Sequence, residues 1–207
     1  MNGVLLFAKA PVVGRVKTRL IPSLGPEKSL ALHESLVKGC LQRLSALKES
    51  GYKLEIYSDD VENCQVQDWS KAFNLHCYAQ RGTELGERMR NAFTEALGRY
   101  SAVALCGSDS FELDDGHVLR LFKQLENADL AILPAHDGGY LAIAVKNLAV
   151  AESVLKGINW GSPEVLAQTL KAATSANWQV ALLPAIADID RVADLVNTPY
   201  ESWLSPA

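Results

Sequence analysis

The chain of 207 residues lacks any stretch near the ~20 apolar residues that a bilayer-spanning helix needs. It also lacks a basic region followed by a long apolar one at its start, so neither membrane insertion nor export is expected, and the cytoplasm is the expected compartment. Cys40, Cys64, Cys77 and Cys106 contain no Cys-x-x-Cys pair. They read as free thiols, which excludes a disulfide framework and a zinc ribbon. His33, His76, His117 and His136 are scattered, with no His-Glu-x-x-His. There is no Gly-x-Gly-x-x-Gly and no P-loop; the nearest approach is Gly14-Arg-Val-Lys-Thr18. Positive charge is not in excess either. A net charge of −4 argues against a general nucleic-acid binder, which needs a basic surface.

Enough remains to build a core. The chain is 48% hydrophobic and 21% charged, and no linker divides it, so a single domain over residues 1–207 is expected. Val4–Ala8 reads as a buried strand within residues 3–8. From Pro26 to Ser50, apolar residues at three-to-four spacing mark one face of a helix, with Gly51 as its stop. Lys53–Ser58 alternates as a strand, 61–73 is a weaker helix, and Leu75–Tyr78 is a short edge strand. Thr83 caps a helix reaching Tyr100. Ala102–Cys106 is a continuous apolar run, as in a strand covered on both faces. A helix capped by Asp114 or Asp115 runs to about Asn127. Strands follow at Asp129–Leu133 and Tyr140–Val145, then a helix at 162–176 and a last strand at Trp178–Leu183. Strands alternating with helices predict an α/β fold of three layers with a mostly parallel central sheet.

The densest chemical signal follows the first strand. Lys9, Arg15, Lys17 and Arg19 place four cations within eleven residues, together with Pro11 and Gly14. Loops at the carboxyl ends of strands are where open α/β sheets bind ligands. Cations crowded there repel one another unless an anion sits among them, and a nucleotide polyphosphate is the expected anion. A solvated basic turn is the plainer alternative.

Asp109, in Cys106-Gly-Ser-Asp-Ser110, lies just past a central strand between small residues. It suits Mg²⁺ shared with phosphates, which needs only one or two protein carboxylates, or else an Asx-turn. Asp188 and Asp190 share a face if their segment is extended, so they can join that metal site; capping a helix near Arg191 is the other reading. His136-Asp137-Gly138-Gly139 is a strong turn signal, either structural or open to a ligand at its glycines. Gln80–Met89, with Gly86 and Arg88, is a Gly-bearing lead into a helix that can present amides or bracket a base. Trp160-Gly-Ser-Pro163 is a lid or a helix start. Trp69, Trp178 and Trp203 read as packing residues.

Phe7–Leu20, Leu85–Met89, Gly107–Ser110, Pro134–Tyr140, Trp160–Pro163 and Asp188–Asp190 occur in an order that resembles a bacterial GT-A-fold glycosyltransferase family, formerly a domain of unknown function. That family is similar in turn to the nucleotidyltransferases of molybdenum cofactor and of 2-phospho-lactate. The resemblance covers nearly the whole chain. It implies a Rossmann-like GT-A fold and a nucleotide-diphospho-sugar transferase dependent on Mg²⁺ (or Mn²⁺), acting on a small-molecule acceptor. A nucleotidyltransferase releasing pyrophosphate and a catalytically silent nucleotide-binding protein are the alternatives. It implies nucleotide and phosphate contacts at Ala8, Lys9, Gly14, Arg15, Lys17, Arg19, Gly86 and Arg88, and catalytic roles for Lys17 and Asp109. Asp109, Asp188 and Asp190 become the metal residues, and Phe111, Asp137, Gly138, Gly139 and Trp160 the acceptor side. One departure stands out: the family's Asp-x-Pro-x-Leu is here Asp109-Ser-Phe-Glu-Leu113. The Phe111 ring either plugs the domain or narrows the acceptor side of the cleft, and the cleft is the expected place.

Overall fold

A computed structural model describes residues 1–204. Its centre is β1 (Gly3–Ala8), all six residues of which are buried. Even-numbered side chains (Val4, Leu6, Ala8) enter one core and odd-numbered ones (Leu5, Phe7) the other, as a strand covered on both faces requires. The chain continues through a single turn, α1 (Ile21–Leu24), into α2 (Pro26–Leu44), then β2 (Lys53–Ser58), α3 (Cys64–Phe73), β3 (His76–Ala79), α4 (Leu85–Leu97) and β4 (Val103–Gly107). After these come α5 (Asp115–Gln124), β5 (Leu130–Pro134), β6 (Tyr140–Val145), α6 (Leu148–Val154), α7 (Val165–Ser175) and β7 (Val180–Leu182).

The seven strands form one sheet in the order β3-β2-β1-β4-β6-β5-β7. All pairings are parallel except those of β6, which runs antiparallel between β4 and β5. The Asp137–Gly139 turn accounts for this, because it returns the chain as a hairpin rather than through a crossover helix. Side chains of α2, α3 and α5 cover one face; α4, α6 and α7 cover the other. A smaller cluster of Leu20, Leu32, Leu36, Ile189 and Leu195, with Phe111, Tyr200 and Trp203 against it, lies under the loops at one end. No helix among the described residues is long and apolar enough to cross a membrane.

The three-layer α/β expectation holds, with local corrections. The predicted Pro26–Ser50 helix ends as an α-helix at Leu44 and tightens into a 3-10 turn over Ser45–Lys48. The helix expected to reach Asn127 stops at Gln124, and of its two candidate caps it is Asp114 that accepts from the His117 amide. Thr83 is not a cap: the N-cap is Glu84, and the Thr83 amide and hydroxyl both donate to the Glu87 carboxylate. α6 was not anticipated, although Asn147 caps it through the Ala149 amide at 2.9 Å.

Candidate active site

β1 and β4 are adjacent, and their register sets Phe7 opposite Gly107. The basic loop and the Asp109 loop therefore leave the sheet side by side at its carboxyl edge, where open α/β sheets bind ligands. A cleft of about 670 Å³ opens there, lined by Lys9, Arg15, Lys17, Arg19 and Arg88 and by Asp109, Asp137, Asp188 and Asp190.

Lys17 is the buried member of the basic loop, its side chain only 4% exposed against 51% for Asp109. Its ammonium forms an ion pair with Asp109 and donates to the Ile189 carbonyl at 2.5 Å. Its backbone lies in the left-handed region at φ 46°, which costs an L-residue roughly 1–2 kcal/mol and persists only where surrounding contacts hold it. Partial burial works against ionised Asp109, yet the charge and hydrogen bond of Lys17, with the charges of His33 and Lys9, outweigh it and hold the carboxyl below its ordinary value. Arg19 pairs with Asp190. The expected mutual repulsion of four cations is thus relieved in part by the protein's own carboxylates, leaving Lys9 and Arg15 as exposed cations of the loop. His33, buried in α2, lies with Nε2 3.0 Å from the Lys9 carbonyl and anchors the loop's first turn. Gly14, at φ 78°, supplies a turn conformation with open space around it. Ala8 is buried at the end of β1 and offers no side chain to the cleft.

The acidic segment follows Ile186, which makes an isolated parallel bridge with Ala135, and its residues alternate between core and cleft. Ile189 is fully buried in the small cluster, so Asp188 and Asp190 both face the cleft. Burial, and then the Asp137, Asp194 and Asp109 carboxylates, push Asp188 up to about 6. Neither Asp188 nor Asp190 caps a helix; Asp194 reaches back instead, accepting from the amides of Asp190 (2.9 Å) and Arg191 (2.6 Å). Among the described residues no three His, Cys, Asp or Glu side chains converge as a metal site. Asp109 and Asp188 share the cleft, whereas Asp190 is engaged by Arg19, so the three-carboxylate set is not assembled.

Two loops are bolted together by residues the sequence did not single out. Fully buried Ser110 donates to the Ala187 carbonyl at 2.6 Å and accepts from the amides of Glu112 (3.1 Å) and Leu113 (3.3 Å). Glu112 accepts from the Ala187 amide (2.7 Å), and the Ile189 amide donates to the Asp109 carbonyl (2.9 Å). Arg43 grips the same turn through the carbonyls of Leu113 (2.8 Å) and Ser110 (2.9 Å). These bonds fix Asp109 relative to Asp188 in a turn that has no proline. No motif marks Arg43 or Glu112; Ser110 stands inside the Gly-Ser-Asp-Ser stretch, whose chemical signal is the carboxylate of Asp109.

Phe111 belongs to the small cluster, with its ring edge-on to Tyr200 at 6.5 Å, and its rim reaches an adjoining groove beside Arg19 and Asp188. The ring therefore packs, where a projection into the cleft was expected. Gly86 is buried in the first turn of α4 against Trp160, where a Cβ would lie 2.4 Å from the indole nitrogen. Gly138, at φ 91°, has the Pro163 carbonyl where a Cβ would fall 2.0 Å away. Both glycines are close-approach residues. Asp137 accepts from the Gly139 amide (2.8 Å) as an Asx-turn, yet lines the cleft with Gly139. Arg88 lines it too, its Nε bonded to the Gly82 carbonyl (3.0 Å). Trp160 walls a second cavity described below.

Comparison with known proteins gives the fold a context. The family model DUF2064, described as "uncharacterized protein conserved in bacteria", matches residues 41–162. None of the curated proteins matches the chain. A solved protein from Desulfovibrio desulfuricans G20, provisionally assigned as a nucleotide-diphospho-sugar transferase, is 30% identical over 97% of this chain and 90% of its own, with a TM-score of 0.84. A 4-diphosphocytidyl-2C-methyl-D-erythritol synthase from Anaerococcus prevotii DSM 20548 shares 10% identity over 95% of each chain, with a TM-score of 0.64. CMP:2-keto-3-deoxy-manno-octonic acid synthetase, solved with CTP, shares 12% over 94% of this chain and 95% of its own, with a TM-score of 0.57. The last two show the fold alone: a Rossmann-like sheet of the GT-A and nucleotidyltransferase kind.

Proposed function

The chain belongs to the DUF2064 family, and from its cleft we propose a nucleotide-dependent transferase, acting on a nucleotide-diphospho-sugar and a small-molecule acceptor. The observation that carries this reading is the junction of Lys17, Asp109 and Ile189, where a buried ammonium, a metal-competent carboxylate and the acidic segment meet at the ends of β1 and β4. The 30% identity with the Desulfovibrio protein supports the donor class.

In this reading Lys9 and Arg15, exposed and in no ion pair among the described residues, meet the diphosphate first. Lys17 then stabilises the negative charge that builds on the departing phosphate, from a position fixed before the donor arrives. The residues also fit a divalent cation. Among the described residues Asp188 forms no ion pair, the Asp137, Asp194 and Asp109 carboxylates disfavour its charge, and oxygen donors from Asp109 and Asp188, which line the same cleft, suit Mg²⁺, which keeps waters and shares phosphate oxygens. Bound there, Mg²⁺ would neutralise phosphate charge. Asp190 orients Arg19 rather than the metal.

A second reading, nucleotidyl transfer from a nucleoside triphosphate, is favoured by one feature: Lys9, Arg15 and Arg88 line the cleft beside the already paired Lys17 and Arg19, which gives a longer phosphate chain cations along its length. The two differ in the atom attacked, an anomeric carbon or the α-phosphorus. A thermal-shift screen of nucleotides and nucleotide sugars, with and without Mg²⁺, tests the common core, since ligands of the native state raise apparent stability. Pyrophosphate release from a triphosphate selects the second reading; a nucleoside diphosphate released from a sugar nucleotide selects the first. No stabilisation by any member of the screen overturns both.

A further inference from the structure

A cavity of about 220 Å³ opens off the charged cleft on the β4–β6 side. Its walls are Leu85, Met89, Leu141, Tyr140, Trp160 and Val165, of which Leu85, Tyr140 and Leu141 also line the cleft, as do Arg19, Asp137 and Gly139. From this cavity we infer that the acceptor is an amphipathic alcohol, with an aromatic or branched aliphatic body held between Trp160 and Leu85 and its hydroxyl directed to the charged cleft. The inference rests on the transferase reading above.

Three observations carry it. First, the walls are built by close approaches that only glycine permits. Gly86 lets the Trp160 indole seat against α4, and Gly138 lets the β5–β6 turn dock on the Pro163 carbonyl, which holds the 160–163 segment over the cavity. Tyr140 meets Trp160 edge-on at 6.2 Å and 81°, fixing the ring plane. Second, the size suits a small organic body. An apolar cavity of about 150 Å³ takes a benzene ring, so this one has room for a ring with a short arm. Third, the chemistry excludes the donor's own parts. A nucleobase or a sugar carries many donors and acceptors, and burying them among Leu, Met, Val and Trp side chains would leave them unpaired. The charged and aliphatic-hydroxyl side chains of the lining, Arg19, Asp137 and Ser162, also line the adjoining grooves, which puts them where the cavity opens, while the Tyr140 hydroxyl and the Trp160 indole nitrogen are themselves buried in the protein. The phosphates belong with Lys9 and Lys17, so the apolar side is left to the acceptor. Leu85, 45% exposed at the rim, is an exposed large apolar side chain that such a body would cover.

The test uses the full chain and 2-phenylethanol as probe, with glycerol as the polar control. Calorimetry and the indole N–H resonance of Trp160 report binding. Saturable binding of 2-phenylethanol, a shift of that resonance and no response to glycerol are expected. Leu85→Gln, a neutral change at an exposed position, and Val165→Phe, which fills the cavity, should each weaken probe binding at least tenfold while leaving tripolyphosphate binding unchanged. No saturable binding to the parent, or equal binding by both variants, overturns the inference. If tripolyphosphate and nucleotides bind but the probe does not, the cavity assignment alone fails. If the probe binds and no nucleotide does, the transferase reading fails and takes the acceptor role with it.

Discussion

Lys17 donates from its ammonium to the backbone carbonyl of Ile189, 2.5 Å away and 172 residues further along the chain. The contact joins the first loop of the sheet to its last segment, and Asp109 closes the triangle by pairing with the same ammonium and accepting the Ile189 amide. Ile189 itself is buried with Leu20, one residue beyond Arg19. Apolar packing therefore sets the spacing of the charged groups, and the charges need not find one another when a ligand arrives.

Lys17→Met keeps the aliphatic stem and removes the charge. Tripolyphosphate, which tests phosphate binding without regard to the base, should bind at least tenfold more weakly, as expected for one charge-assisted bond of about 1.5–3 kcal/mol. Calorimetry on the folded variant decides it. Equal affinity in parent and variant would remove Lys17 from the phosphate site.

Ser110→Ala leaves the Ala187 carbonyl and the amides of Glu112 and Leu113 without their hydroxyl partner inside a buried turn. Unsatisfied buried groups cost about 1–3 kcal/mol. Urea denaturation should show a loss in that range with an unchanged m-value, together with weaker Mg²⁺ binding because Asp109 and Asp188 lose their common anchor. A variant as stable as the parent would show that Arg43 and Glu112 hold the turn unaided.

Phe111→Ala should cost about 1–2 kcal/mol. That is below the 3–5 kcal/mol typical of a fully buried phenylalanine, because the ring is half-buried against Leu20, Ile189 and Tyr200. A loss under about 0.5 kcal/mol, as at an ordinary surface site, would return the ring to the cleft side.

Most of the scaffold was legible because it follows from periodicity. The apolar run of Ala102–Cys106, the alternation of Lys53–Ser58 and the three-to-four spacing in α2 each have a single economical burial pattern. The charged cleft was legible because its residues sit immediately after strands, at places that topology brings together. Two kinds of feature were hidden. Pairing across the molecule, such as Arg19 with Asp190 or Lys17 with Asp109, depends on which loop meets which, so isolated charge counts exaggerated the unrelieved positive field. Close approaches were hidden as well: Gly86 and Gly138 read as ligand-facing glycines, whereas their lack of a Cβ serves Trp160 and Pro163. Phe111 follows the same logic, since nothing local told of Tyr200 arriving beside it.

The acidic segment yields a pH prediction. The folded protein holds the Asp188 proton up to about 6, above the ordinary carboxyl value of 3.8, because burial and the Asp137, Asp194 and Asp109 carboxylates disfavour its charge. A raised folded-state pKa means that the native chain binds more protons than the unfolded one between about pH 4 and pH 6. Stability from this group is therefore greatest below pH 4 and is lost as pH rises through 6. Asp109 and Asp114, held below their ordinary values, act in the opposite sense and only at lower pH, as the solution is acidified further. Comparing parent with Asp188→Asn isolates the effect. The variant should gain on the parent by about 1–2 kcal/mol between pH 4 and pH 7, a shift of one unit being worth ~1.4 kcal/mol before screening by partial exposure. Mg²⁺ should cancel the parent's loss above pH 6, because a cation at Asp109 and Asp188 favours the ionised form, and it should do nothing for Asp188→Asn. Parallel pH–stability curves for the two proteins would show that Asp188 ionises like an ordinary surface carboxylate, and an equal response of both to Mg²⁺ would take Asp188 out of the metal site.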